Sequence, residues 1–232
     1  VNSDLANVDF ERTRFGVLQS YASEGGTSMR ARYEHQDLTQ DISRVAEGGE
    51  KEHSILNLAQ FGANRTMGNH NLTFDSDLQL LDRNDSTDRV NTLFSILRDS
   101  YRRGSNLSIE NQVTFNRTAL NQRDLDLTSS LAQLNSYGFW RPETTKPLLL
   151  NSTLLGQGLN TENDSSSSTI TNFTGTVGGS YEWSPRILFT ADAGVSRTDG
   201  ESTGITTSYQ RAGTTYTSDD KEKFGFHYNW FT

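Results

Sequence analysis

The stretch from Leu72 to Leu80 reads LTFDSDLQL, and its pattern decides the fold class. Leu72, Phe74, Leu78 and Leu80 lie at alternating positions, interrupted at Ser76, whereas polar residues occupy the positions between them. Successive side chains of a β-strand point to opposite faces, so the segment has one apolar and one polar face. This period of two predicts a half-covered strand, because an amphipathic helix would need apolar residues three and four apart.

The same alternation recurs in residues 107–115, 173–183, 187–195 and 224–230. Turn-forming residues cluster between such runs, at residues 25–26, 47–49, 84–86, 121–122, 163–165, 199–200 and 219–220 among others. The spacing predicts about a dozen strands of roughly 10–14 residues. Transmembrane strands need about 9–11 residues, whereas strands of soluble proteins average about 5–6. Strand length therefore favours a membrane barrel over a soluble sandwich.

The composition agrees with a sheet that has one wet face. Apolar residues make up 32% of the 232 residues, against about 45–50% in ordinary soluble proteins. A disordered chain would be poor in aromatic residues, but this chain is 10% aromatic. Proline, which removes a hydrogen bond from the sheet, occurs three times, and the absence of cysteine excludes disulfides and thiolate metal sites.

Charge and segment length exclude several other classes. A net charge of -8 argues against nucleic-acid binding and against a polybasic peripheral membrane protein. No apolar run approaches the roughly 20 residues of a transmembrane helix. Because the sequence begins at Val1, we expect a processed protein or a piece of a longer one. Residues 1–14 are expected to form a polar tail or lead-in, and residues 15–232 the barrel hairpins.

The final segment resembles the C-terminal signal of bacterial outer-membrane β-barrel proteins, the porin-like superfamily. Lys223, Gly225, Tyr228 and Trp230 match its pattern of a polar residue, a glycine and two spaced hydrophobic residues. The resemblance implies an all-β, antiparallel, up-and-down transmembrane barrel of about 12 strands, complete or a slice of a larger barrel. It also implies a bacterial outer-membrane location in contact with lipid, with a plug, a cytochrome or further copies of the chain as possible partners.

Such a barrel has a lipid-facing surface and a lumen-facing surface. The lipid-facing and aromatic-girdle set is predicted to be Leu72, Phe74, Leu78, Leu80, Phe173, Tyr181, Trp183, Ile187, Phe189, Phe226, Tyr228 and Trp230. The lumen set is predicted to be Arg30, Arg32, Glu34, Asp75, Asp77, Glu110, Asp126 and Asp192. Rings of charge set ion selectivity, and an acidic lumen would favour cations. Alternatively, these groups form a solvated or mutually paired wall with no role in selectivity.

Catalytic and metal-binding signatures are weak. His35, His53, His70 and His227 lie on four different predicted strands, and their spacing matches no metal motif. The sequence contains no GxSxG elbow, and Asp75 and Asp77 are read as two acids on a polar wall. We therefore predict no enzyme activity, no cofactor and no metal site.

Three functions remain open at this stage. The first is a porin-like channel for ions or small polar solutes. The second is a barrel sleeve that holds a partner, such as a multihaem cytochrome in an electron-conducting complex. The third is a soluble extracellular β-sandwich, adhesin or fibre subunit, which the apolar faces of the predicted strands disfavour.

Overall fold

A computed structural model describes residues 7–44, 47–83, 89–122, 125–142, 148–200, 204–217 and 223–232. These residues form an all-β structure, and none of them belongs to a helix long and apolar enough to cross a bilayer. The described strands are β1 (Asn7–Ala22), β2 (Thr27–Arg44), β3 (Glu47–Met67), β4 (His70–Arg83), β5 (Arg89–Arg103), β6 (Leu107–Gln122), β7 (Leu125–Trp140), β8 (Leu148–Asn163), β9 (Ser167–Ser184), β10 (Ile187–Asp199), β11 (Gly204–Thr217) and β12 (Lys223–Phe231).

Each strand pairs antiparallel with the next one along the chain, in a single sheet. The predicted all-β, up-and-down architecture of about 12 strands is confirmed. Within the described residues, β1 and β12 do not contact each other, so this sheet is open. Of the two predicted forms, a complete barrel and a slice of a larger one, an open sheet is consistent with the slice.

The register gives the sheet two chemically different faces, because directly paired residues point to the same side. Tyr33 pairs with Ala59, which pairs with Leu78, and this row lies on the face that carries most of the exposed hydrophobic side chains. We call it the apolar face, although charged residues such as Asp99 and Arg117 also lie on it. The neighbouring row of Arg32, Gln60 and Asp77 lies on the polar face. All twelve residues of the predicted lipid-facing set lie on the apolar face.

The sheet is a single layer without a hydrophobic core. Ile96 is the one apolar side chain that is buried among the described residues. On the apolar face, Phe226 is 81% exposed and Trp183 is 69% exposed. Soluble monomers rarely expose an apolar patch larger than a few hundred Å², and here such residues recur on every strand pair. A β-sandwich would need a second layer on this face, and the described residues form none.

The strands are staggered as a tilted barrel requires. A line of paired residues begins at Ala22, at one end of β1, and passes through Asn64 and Arg98. It reaches Ser196 near the opposite end of β10. Strands that slide past one another in this way are inclined to the barrel axis, which is the geometry that closes a sheet.

The boundaries differ from the sequence expectation at several places. Most strands are longer than the roughly 10–14 residues expected, and residues 121–122, predicted as a turn, are the end of β6. β1 already begins at Asn7, so residues 7–14 belong to the first strand and are not a tail. Residues 47–49, predicted as a turn, form the start of β3, which pairs with β2 after a register shift between Ile42 and Arg44. The expected turns at 84–86 and 219–220 lie outside the described residues.

Candidate functional site: the charged polar face

The register gathers seven of the eight predicted lumen residues on the polar face. They are Arg30, Arg32, Glu34, Asp75, Asp77, Glu110 and Asp192. Asp126 departs from the expectation, because it pairs with Asn121 and lies on the apolar face. Asp126 is the second residue of β7, and a charge so close to the end of a strand can reach water.

Glu34 on β2 is the centre of the densest polar cluster. Its side chain is only 3% exposed, and the opposite position on β1 is Gly16, which leaves space for it. Arg14 Nη2 and Arg32 Nη2 each donate to Glu34 Oε2 at 2.5 Å, and the Gln36 amide donates to Glu34 Oε1. A carboxylate bound by two guanidinium groups and an amide is fully compensated.

The surroundings of Glu34 are positively charged. On the polar face of β1 and β2, the described side chains include four arginines and one glutamate. Arg12 Nη2 donates to Gln36 Oε1 at 2.6 Å, which extends the cluster towards the far end of β1. Arg14 and Arg32 remain 50% and 41% exposed. These two strands therefore present excess positive charge to solvent, which is the opposite of an acidic, cation-favouring wall.

Charges of alternating sign continue across β4, β5 and β6. Arg98 Nη1 lies 3.9 Å from Asp75 Oδ2, and Arg98 Nε donates to Gln112 Oε1 at 3.3 Å. Arg102 Nη2 lies 3.2 Å from Glu110 Oε1. These side chains are about half exposed, so their ion pairs contribute little to stability. Their positions determine which parts of the polar face present charge to the solvent.

The polar face of β7, β8 and β9 differs from that of the preceding strands. Its described residues carry no charge as far along β9 as Ser180. Gln133, Gln157 and Asn172 form one paired row there. Charge returns on β10 and β11, where Asp192 is directly opposite Arg211. The face is therefore divided into a charged sector and a neutral, amide- and hydroxyl-rich sector.

One row on the polar face is apolar, and alternation within single strands did not predict it. The row takes one residue from each of five neighbouring strands, and each residue pairs with the next. These residues are Leu56, Leu81, Val90, Leu120 and Leu127. None of them is among the strongly exposed hydrophobic residues. The signal in the sequence is the doublet Leu80-Leu81, where alternation fails and one leucine must lie on the polar face.

The histidines are engaged in separate polar contacts. His35 Nδ1 lies 2.8 Å from Asn57 Oδ1, His53 Nε2 lies 2.7 Å from Asp37 Oδ1, and His70 Nδ1 lies 3.1 Å from Asp99 Oδ1. His227 lies beside Gly213, on β12. No group of three potential metal ligands occurs within the part of the chain that the structure describes.

Comparisons with known proteins find matches among solved structures, at low identity and low TM-score. No protein-family model matches the chain, and no curated protein matches it significantly. Among solved structures, OmpT, an outer membrane protein of Vibrio cholerae in its trimer form, is 10% identical, with a TM-score of 0.42 over 98% of this chain and 89% of that chain. A loop L8 deletion mutant of OmpT from the same organism is 9% identical, with a TM-score of 0.40 over 98% of this chain and 94% of that chain.

Proposed function

We propose that this chain forms the wall of a transmembrane β-barrel in a bacterial outer membrane, and that the barrel is a porin-like channel for ions or small polar solutes. The observation that carries the proposal is that one face of a continuous sheet carries most of its exposed large hydrophobic side chains, whereas the other face is mainly polar. Neighbouring strands satisfy each other's backbone groups, which is the condition for β-structure in hydrocarbon.

The apolar face has suitable dimensions for a bilayer. Residues 72–80 of β4, at about 3.4 Å per residue, span about 27–30 Å along the strand, which is about 21–23 Å along the barrel axis at a tilt of about 40°. This is close to the apolar band of outer-membrane barrels, which is about 25 Å tall. Tyr21, Trp140 and Trp183 lie on this face at the ends of β1, β7 and β9. These strands run in the same direction, so the aromatic rings lie at one rim, as in an interfacial girdle.

The polar face supports a water-filled lumen. Its charged sector exposes the guanidinium groups of Arg14 and Arg32, and its neutral sector exposes amides and hydroxyls. Side chains of this kind line aqueous pores, and their net charge selects ions by sign. The excess of arginine on β1 and β2 favours anions along that part of the wall.

The test is to extract the protein from outer membranes and reconstitute it in planar bilayers. Boiled and unboiled samples should differ in gel mobility, and the unboiled material should conduct ions in discrete steps. Stable insertion without any conductance would refute the channel. Recovery of the protein in the soluble fraction, without a mobility shift, would refute the membrane-spanning barrel as well.

A second candidate function is a sleeve around a partner protein. The row of Leu56, Leu81, Val90, Leu120 and Leu127 favours it, because an open aqueous pore has no use for a continuous apolar row. A plug or a multihaem cytochrome seated against this row would cover it. Copurification of a coloured or additional chain, together with low conductance, would support the sleeve over the channel.

A further inference from the structure

A depression of about 410 Å³ lies on the polar face beside Gly62 of β3. Its lining includes Ser20, Arg30, Asn64, Thr73 and Asp75. The volume lies within the range of about 300–1,000 Å³ that is usual for small-molecule sites. A Cβ atom at Gly62 would lie 3.0 Å from Asp75 Oδ1 and 3.7 Å from Arg30 Nη2, so a larger side chain would fill the opening.

Opposite charges flank this depression. Arg30 on β2 pairs with Gly62, and Gly62 pairs with Asp75 on β4, so one strand separates the two charges. At about 4.8 Å between strands, their backbones are about 10 Å apart. Asp75 Oδ1 faces Gly62, while Asp75 Oδ2 faces Arg98 at 3.9 Å. Arg30 makes no ion pair with another described residue.

The adjacent row repeats the arrangement with Arg32, Gln60 and Asp77. Arg32 is bound to Glu34, but the Asp77 side chain has no ionic or hydrogen-bonding partner among the described residues. Arginines on β2 therefore face aspartates on β4 across β3, and we call the depression at Gly62 together with these flanking charged side chains the groove. The uncompensated groups are the cation Arg30 and the anion Asp77, which lie diagonally across it.

We propose that this groove binds small zwitterions, of which free amino acids are the simplest class. The ligand carboxylate pairs with the Arg30 guanidinium, and the ligand ammonium pairs with Asp77 and Asp75. A ligand of single charge satisfies one side of the groove and leaves the other uncompensated. This inference goes beyond the proposed channel by naming a solute class, and it rests on that proposal only in placing the groove in a wet lumen.

The experiment measures binding of L-alanine to the full, folded chain in detergent by saturation-transfer NMR, with acetate and methylammonium as probes of single charge. Alanine should bind saturably, and each single-charge probe should bind about tenfold more weakly or worse. Arg30→Gln, Asp77→Asn and Gly62→Leu should each weaken alanine binding by about tenfold or more. Arg30→Lys keeps the charge and should recover part of the affinity.

Matched controls are Arg211→Gln on β11 and Glu182→Gln on β9, which make the same changes of charge far from the groove. Both should leave alanine affinity unchanged, and a gel-mobility shift on boiling confirms that every variant is folded. Absence of saturable alanine binding, equal binding of acetate, or equal loss in the controls would overturn the inference. Conductance without alanine binding refutes the groove alone, whereas alanine binding in a barrel that does not conduct refutes the channel alone.

Discussion

At the scale of single residues, the sequence predicts which face a side chain occupies but not what it contacts. Period-two alternation puts Arg32 and Glu34 on one face, and the structure agrees. The contact of Glu34 with Arg14 joins two strands, so it depends on the register of β1 against β2. Register between strands is set by pairing and turns, which one strand's pattern does not contain. The opening over Gly62 was missed for the same reason.

Glu34→Gln is expected to destabilise the barrel, because it removes the anion that two guanidinium groups share. Arg14 and Arg32 would then repel each other without a compensating carboxylate. Urea titration of the folded fraction, read from gel mobility, should show a lower unfolding midpoint than in the wild type.

Glu110→Gln is the control for this substitution. It also removes a carboxylate from an Arg–Glu pair on the polar face, but Glu110 is 53% exposed. Exposed pairs contribute little, so its midpoint should change little. Equal shifts for the two variants would show that the Glu34 cluster has no special role.

At the scale of the strand, sequence analysis recovers the interiors of strands more reliably than their ends. Residues 72–80 of β4 and 187–195 of β10 were predicted from their alternation, whereas the first half of β1, which is rich in charged residues, was not. Gly48 and Gly49 are typical of a turn, yet they belong to β3, where the register against β2 shifts between the paired residues Glu47 and Glu50. Near a strand end, the local residue preference therefore does not fix the boundary.

Neighbouring positions of β7 test the assignment of faces at this scale. Leu134 lies on the apolar face and is 38% exposed, whereas Gln133 lies on the polar face. Leu134→Arg should cost about 2–4 kcal/mol if the residue is near the bilayer midplane, and a lumen substitution such as Gln133→Arg should cost far less. Chemical unfolding in liposomes measures both variants. Similar costs at the two positions would contradict a lipid-facing surface at Leu134.

At the scale of the whole molecule, the sheet has two long edges. The outer edges of β1 and β12 are unpaired among the described residues, and Phe15 and Phe226 on these strands are 60% and 81% exposed. Hydrocarbon offers no partner to backbone groups, so both edges must be paired in a bilayer. The number of strands in this chain was predicted from the sequence. Closure of the sheet into a barrel was not, because it depends on contacts between the first and last strands, which the pattern within single strands does not contain.

The central claim is that one face of this sheet meets lipid and the other meets water. Because the chain has no cysteine, a single cysteine can be introduced in each variant, at a position on either face of β4 or β7. The measurement is labelling of these variants in liposomes by a charged, membrane-impermeant maleimide. Cysteines at Asp75, Asp77 and Gln133 are expected to react, whereas cysteines at Phe74, Leu78 and Leu134 are expected to be protected. Equal reactivity on both faces would contradict a sheet with one side against lipid and the other against water.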